Sequence, residues 1–179
     1  PSGASTAHDP VIIRHTTLDQ MSHAGTAAQA TGFAPYFNYA GSVSVTGSVS
    51  PLYTESDGIT QTFAYELSGA DPLCASGAGP DLFSCGIHLH TGYSCEEGAG
   101  SHYYVNPPVT SDPWEFASYT TVNGTASGVF SVTTGASDVA GRALIIHGYA
   151  FGERQACALL QPVPEIPALK TSGFVPRSE

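Results

Sequence analysis

Ser42-Val-Ser-Val-Thr-Gly-Ser-Val49 alternates small polar residues with valine, the period-2 signature of a strand with one face buried. Thr60-Gln-Thr-Phe-Ala-Tyr-Glu-Leu67 repeats the alternation, and Ser56-Asp-Gly58 between the two runs is a turn signal. Further along come Gly86-Ile-His-Leu-His90, then Ala126–Val132 behind the turn pair Asn123-Gly124. Ala143-Leu-Ile-Ile-His147 and Gln155-Ala-Cys-Ala-Leu-Leu160 close the series. Short strands broken by Gly, Asn and Asp turns define an all-β chain, an antiparallel sandwich or barrel. No internal repeat of about 20–50 residues is visible, which excludes a solenoid.

The ends read differently. Residues 1–32 are rich in Ala, Ser, Thr and Gly, with one apolar patch at Val11–Ile13. They read as an arm or linker with room for one strand; a short helix over Leu18–Ala30 is the weaker alternative. His8, His15 and His23 fall in this arm and fit no motif, so they are taken as solvated. Residues 33–161 form the β domain. Residues 162–179 open with Pro162-Val-Pro-Glu-Ile-Pro167, a proline run expected to stay out of any sheet and to form an extended tail.

Composition narrows the function. The 179 residues carry 15 acidic and 5 basic side chains, a net charge of −10, and a single lysine, Lys170. A chain this long buries roughly 70% of its unfolded surface, enough for a core. Charged residues make up only 11%, too few for a helical bundle or coiled coil. No basic patch exists to displace counterions from phosphates, so nucleic acid is excluded as a partner. No apolar run approaches the roughly 18 residues of a membrane span. The N-terminus shows no basic-plus-apolar leader, so a signal peptide is expected to have been removed or never present.

The strongest chemical signal is His88-x-His90, because residues two apart on a strand share a face. His102 follows 12 residues later, in Gly100-Ser-His-Tyr-Tyr104, and His147 ends the apolar run 45 residues beyond it. Four histidines without a cysteine pair at zinc-finger spacing suggest an all-imidazole metal site. Imidazole suits Cu, Zn, Fe or Ni, and four nitrogens near a plane favour Cu(II). Four cysteines without a CxxC pair read as two disulfides, with three pairings open, and hence an oxidising compartment.

Cys85-Gly-Ile-His-Leu-His-Thr-Gly-Tyr-Ser-Cys95, Gly100-Ser-His102, Gly141-Arg-Ala-Leu-Ile-Ile-His147 and Gly152-Glu-Arg-Gln-Ala-Cys-Ala158 occur in that order. Over about residues 40–160 this series resembles the copper–zinc superoxide dismutase family. The matching patterns are G-[FI]-H-[VIL]-H at Gly86–His90, G-R-x-[LIV]-[VI]-[VI]-H at Gly141–His147 and R-x-x-C at Arg154–Cys157. The resemblance implies an eight-stranded antiparallel Greek-key β-barrel. It makes His88, His90 and His147 copper ligands and His102 the bridging histidine. It makes Arg154 the guanidinium that draws in superoxide, and it pairs Cys95 with Cys157, leaving Cys74 with Cys85.

Two departures matter. Tyr103–Thr121 contains no histidine, so the family's zinc site is not expected to form. Only six residues separate His147 from Arg154, leaving no room for the loop that walls the copper channel. Both losses resemble the extracellular copper-only branch, and Gly100–Tyr104 with Asp112-Pro-Trp114 looks most like its tandem-domain members. Without zinc, His102 needs another partner on its second nitrogen. Glu115 and Asp112 are the candidates, Glu115 slightly preferred for reach; Asp112 could instead only cap the turn at Pro113.

The resemblance therefore implies a secreted copper-only superoxide dismutase domain, a monomer or one domain of a longer chain. It would turn superoxide into dioxygen and hydrogen peroxide by Cu(II)/Cu(I) cycling, with Arg154 docking the anion and His102 carrying a proton. The alternative is a non-catalytic copper-binding or structural module on the same fold. A cupin-like metal site, with Glu96 following His88-x-His90, fails on spacing and leaves the other patterns unexplained. Asn123-Gly-Thr125 is a glycosylation sequon as well as a favoured hairpin turn.

Overall fold

A computed structural model describes residues 27–163. Among them the chain forms nine strands: β1 (Ala28–Thr31), β2 (Ala34–Pro35), β3 (Thr46–Thr54), β4 (Thr60–Ser68), β5 (Ile87–Leu89), β6 (Thr125–Thr133), β7 (Ala143–His147), β8 (Arg154–Leu159) and β9 (Gln161–Pro162). One 3-10 turn, Pro72–Ser76, is the only helical element among the described residues. The strands make two sheets, ordered β6-β4-β3-β1-β9 and β2-β8-β7-β5. Every strand pairing within them is antiparallel. No helix here is long and apolar enough to cross a membrane.

β4 obeys the alternation read from its sequence: Gln61, Phe63, Tyr65 and Leu67 are buried, while Ala64, Glu66 and Ser68 are exposed. β3 departs from it. The strand runs Thr46–Thr54 rather than Ser42–Val49, and its register against β4 slips between Val49 and Tyr53. The irregularity falls at Ser50-Pro51, where a proline cannot donate to a ladder. It lets Val49 and Leu52, three positions apart, both reach the core. The β6 hairpin fits its turn pair: Asn123 and Gly124 take φ of 51° and 74°, and Val122 and Thr125 exchange backbone hydrogen bonds around them. Two successive left-handed residues are what a two-residue hairpin turn requires, and Asn-Gly supplies them at least cost. Asn123 is exposed at its tip.

Both composition-drawn boundaries are crossed by the first sheet. Ala28–Thr31, inside the arm, is strand β1, with Ala28 and Ala30 buried, so the helix alternative over Leu18–Ala30 fails at its end. Pro162 does enter a sheet, opposite Ala28. It can do so because β9 is an edge strand, where the missing N–H costs no ladder bond. His8, His15, His23 and the tail from residue 164 onward lie outside the described residues.

The main core lies between the sheets, built from Val49, Leu52, Phe63, Leu67, Ile87, Leu89, Leu144 and Ile146 among others. A second cluster, Tyr36, Ala99, Ala143, Ile145 and Cys157, covers the outer face of the β7–β8 pair. That double covering explains why all five residues of β7 are buried and read as a continuous apolar run. Since Ile87 and Leu89 face the main core, His88 and His90 face outward, beneath the loop that follows them.

Candidate metal centre

Each of the four histidines reaches the outer face of the second sheet by its own route. His88 and His90 stand two apart at β5, and His147 ends the neighbouring β7. His102 arrives on an isolated antiparallel bridge to His90, closed by the Tyr103 N–H donating to the Leu89 carbonyl at 2.8 Å. The result is a cluster in which one nitrogen of each ring lies within 4.8 Å of the others. Three of the rings are buried, and His102 keeps partial access to solvent.

The second nitrogen of each ring explains the orientation of the first. His90 Nδ1–H donates to the Gly100 carbonyl at 3.0 Å, and His147 Nδ1–H donates to the Gly152 carbonyl at 2.6 Å. Both rings therefore carry their lone pair on Nε2, and these two atoms face each other at 3.3 Å. Two facing lone pairs repel unless a proton or a metal ion lies between them. A proton is disfavoured: burial, reinforced by neighbouring His147, Arg154 and His102, pushes His90 down to about 2. Burial likewise pushes His147 down to about 4, with His102 and Arg154 adding to it. A metal ion is the remaining partner, and neutral imidazoles are the form that binds one.

His88 completes the case. Its Nδ1 is buried with no hydrogen-bond partner. That leaves Nδ1 as an orphaned ring nitrogen inside the cluster. Burial, then the other three histidines, holds His88 well below the usual imidazole range. A buried polar atom without a partner is rare, and a metal ion would satisfy it. The ring folds back over Gly86, where any Cβ would collide with it.

The carboxylate on His102 is Asp112, not Glu115, which is exposed. Asp112 Oδ2 lies 2.6 Å from His102 Nδ1, while its Oδ1 accepts from the Trp114 N–H at 2.9 Å. Turn capping and histidine orientation thus belong to one side chain, and reach gives way to preorganisation: the Trp114 bond already aims the shorter carboxylate. Nδ1–H held by Asp112 leaves His102 Nε2 free to ligate a metal.

Arg154 donates to the Gly100 carbonyl at 2.6 Å, the same oxygen that orients His90, and to the Tyr36 hydroxyl at 2.9 Å. The Tyr36 hydroxyl also accepts from the Ala99 N–H at 3.0 Å. Tyr36 therefore ties the guanidinium to the ligand loop. No sequence pattern singled out Tyr36, because it acts from the β2–β3 connection, more than a hundred residues from Arg154. Phe83, whose ring lies 4.6 Å from that of His102, was missed for a similar reason. Disulfides join Cys74 to Cys85 and Cys95 to Cys157.

Four neutral nitrogens without thiolate or carboxylate fit a borderline transition metal and not Ca or Mg, which take oxygen ligands. No protein-family model matches the chain, and no curated protein sequence matches it.

Proposed function

We propose that the chain is a secreted copper-only superoxide dismutase domain on an eight-stranded Greek-key β-barrel. The observation that carries this reading is the convergence of four imidazole nitrogens: the partnerless His88 Nδ1, and the Nε2 atoms of His90, His102 and His147, each freed by a bond to the ring's other nitrogen. Two antiparallel sheets packed around one core are the part of that architecture that the strand pairings support. Two disulfides favour an extracellular setting.

Copper held by the four histidines would supply a one-electron Cu(II)/Cu(I) couple, able to accept an electron from one superoxide and return it to another. The protein's part is positioning and proton handling. Asp112 keeps the proton of His102 on Nδ1, so Nε2 is free to ligate or to hold a second proton. His102 is also the ligand ring with access to solvent, from which that proton comes. Arg154 places a fixed positive charge beside His90 and His147, where an anion would dock. The net charge of −10 opposes approach, but beyond a screening length of about 8 Å at physiological salt it counts for little. Asp112 in place of further histidines favours a site without zinc.

The test is superoxide disproportionation by the copper-loaded chain, with bound metals counted and His147→Ala as control. Rapid turnover at one copper and no zinc, lost in the variant, is the expected result. Copper bound stoichiometrically without turnover would leave a copper-binding module and end the catalytic reading.

A further inference from the structure

We propose that Phe83 is a positioning residue for His102, fixing the plane in which that ring presents Nε2 to the metal. The inference rests on the reading that the four histidines hold a metal, and not on the reaction catalysed there.

Phe83 adopts φ of 67°, in the left-handed region that a bulky side chain rarely enters. Such a residue persists only where its surroundings over-determine it. Here they do. Cys85, two positions on, is tied to Cys74 by a disulfide, and its N–H donates to the Gly148 carbonyl at 2.9 Å. Asp81, two positions back, accepts the Phe151 N–H at 3.0 Å. Phe151 is itself left-handed, with φ of 53°. Gly152 follows it, and a Cβ there would press on the Leu82 carbonyl and on Phe83. Two strained turns are thus locked against each other, and Gly152 also supplies the carbonyl that orients His147.

The lock delivers the Phe83 ring to the cluster. Its centroid lies 4.6 Å from that of His102 at 88°, and 6.0 Å from that of His88 at 86°. Edge-to-face contact of this kind is the favoured geometry for aromatic rings. His102 needs it more than the others do. The other three rings are buried, whereas His102 keeps partial solvent access, and its one orienting hydrogen bond, to Asp112, goes to a side chain and not to a backbone carbonyl. A single bond at Nδ1 fixes the tautomer but lets the ring swing about that contact. Phe83 limits that swing by its edge-to-face contact. His88, at 4.6 Å and 71°, and His90, at 4.9 Å and 87°, are the other rings against it.

Packing alone does not account for a phenylalanine here, because glycine would relieve the backbone strain. That makes Phe83→Gly the informative variant, since relief of strain and loss of packing act in opposite directions on folding. Phe83→Leu keeps apolar bulk without a flat ring, and Phe83→Tyr keeps the ring. The experiment is electron paramagnetic resonance of the Cu(II)-loaded chain, with copper affinity from chelator competition and melting of the metal-free protein.

Wild type and Phe83→Tyr should give one four-nitrogen signal. Phe83→Gly and Phe83→Leu should give a mixture with a three-nitrogen species and bind copper about tenfold more weakly, with metal-free melting close to wild type for at least one of them. An undivided four-nitrogen signal and unchanged affinity in Phe83→Leu would overturn the proposal. So would a copper defect that tracks the loss of metal-free stability across the variants. A wild-type chain that takes up no copper would instead overturn the metal reading beneath it.

Discussion

Asp112 shows how much one side chain can decide at this site. Its two oxygens serve different partners, the Trp114 backbone N–H and His102 Nδ1. Asp112→Ala should therefore weaken copper binding by about 10–100-fold, the usual effect of losing a ligand's hydrogen-bond partner. Glu115→Ala should leave affinity unchanged, because that side chain is exposed and bonds no ligand. Chelator competition on the two variants checks the pair, and equal losses in both would assign the role wrongly. Gly86 offers a test of space rather than of chemistry. Its φ is not in the left-handed region, so alanine is conformationally acceptable; the obstacle is the His88 ring lying where a Cβ would go. Gly86→Ala should cost about 1–3 kcal/mol in denaturant unfolding, as overpacking does, and should also lower copper content by displacing His88. Full copper occupancy in a folded Gly86→Ala protein would show that the ring has room elsewhere.

Between residues and the whole lies the loop from Thr91 to Ser101, which joins His90 to His102 and has little regular structure of its own. It is held by the Cys95–Cys157 disulfide to β8, by Gly100 to both His90 and Arg154, and by Ala99 to Tyr36. The disulfide spans 62 residues, which in the chain-entropy picture is worth about 4 kcal/mol, against about 3 kcal/mol for the 11-residue Cys74–Cys85 span. Replacing Cys95 and Cys157 by alanine should thus cost about 4 kcal/mol in urea unfolding and weaken copper binding as well, because the loop carries the Gly100 carbonyl. A stability loss with copper affinity intact would mean the hydrogen bonds hold the loop unaided. At this scale the sequence was legible where physics is local. Alternation marked β4, Asn123-Gly124 marked the hairpin, and His-x-His put two rings on one face. It was illegible where partners are distant. Nothing in Ala28–Thr31 announces a buried strand, since its alanines are core only because β3 and β9 flank them. Nothing in Pro162 announces an edge position, and the Phe83 ring and the Tyr36 hydroxyl meet His102 and Arg154 only once the chain has folded.

Across the whole molecule, the same burial that keeps three histidines ready for a metal makes the metal-free protein sensitive to acid. In the fold His90 and His147 are pushed down to about 2 and about 4, and His88 is lowered as well. Unfolded, all three would titrate near the ordinary imidazole value of about 6.5. Below that value the unfolded chain binds more protons than the native one, so stability falls as pH falls. The window opens near 6.5 and extends to about 4 for His147 and about 2 for His90. Three protons taken up on unfolding correspond to about 4 kcal/mol per pH unit, at 1.36 kcal/mol each. Total stability for a domain is about 5–15 kcal/mol, so a metal-free protein at the lower end of that range should unfold within about two units below 6.5. Copper bound as proposed would change the balance by occupying the lone pairs that protons would take, since a ligand stabilises whatever state binds it. Melting curves of the two forms should therefore diverge between pH 7.5 and 5, the metal-free one dropping steeply and the copper-loaded one holding until acid strips the metal. A metal-free melting temperature flat across that range would mean the imidazoles are already solvated or charged in the native protein, and the buried cluster would have to be abandoned.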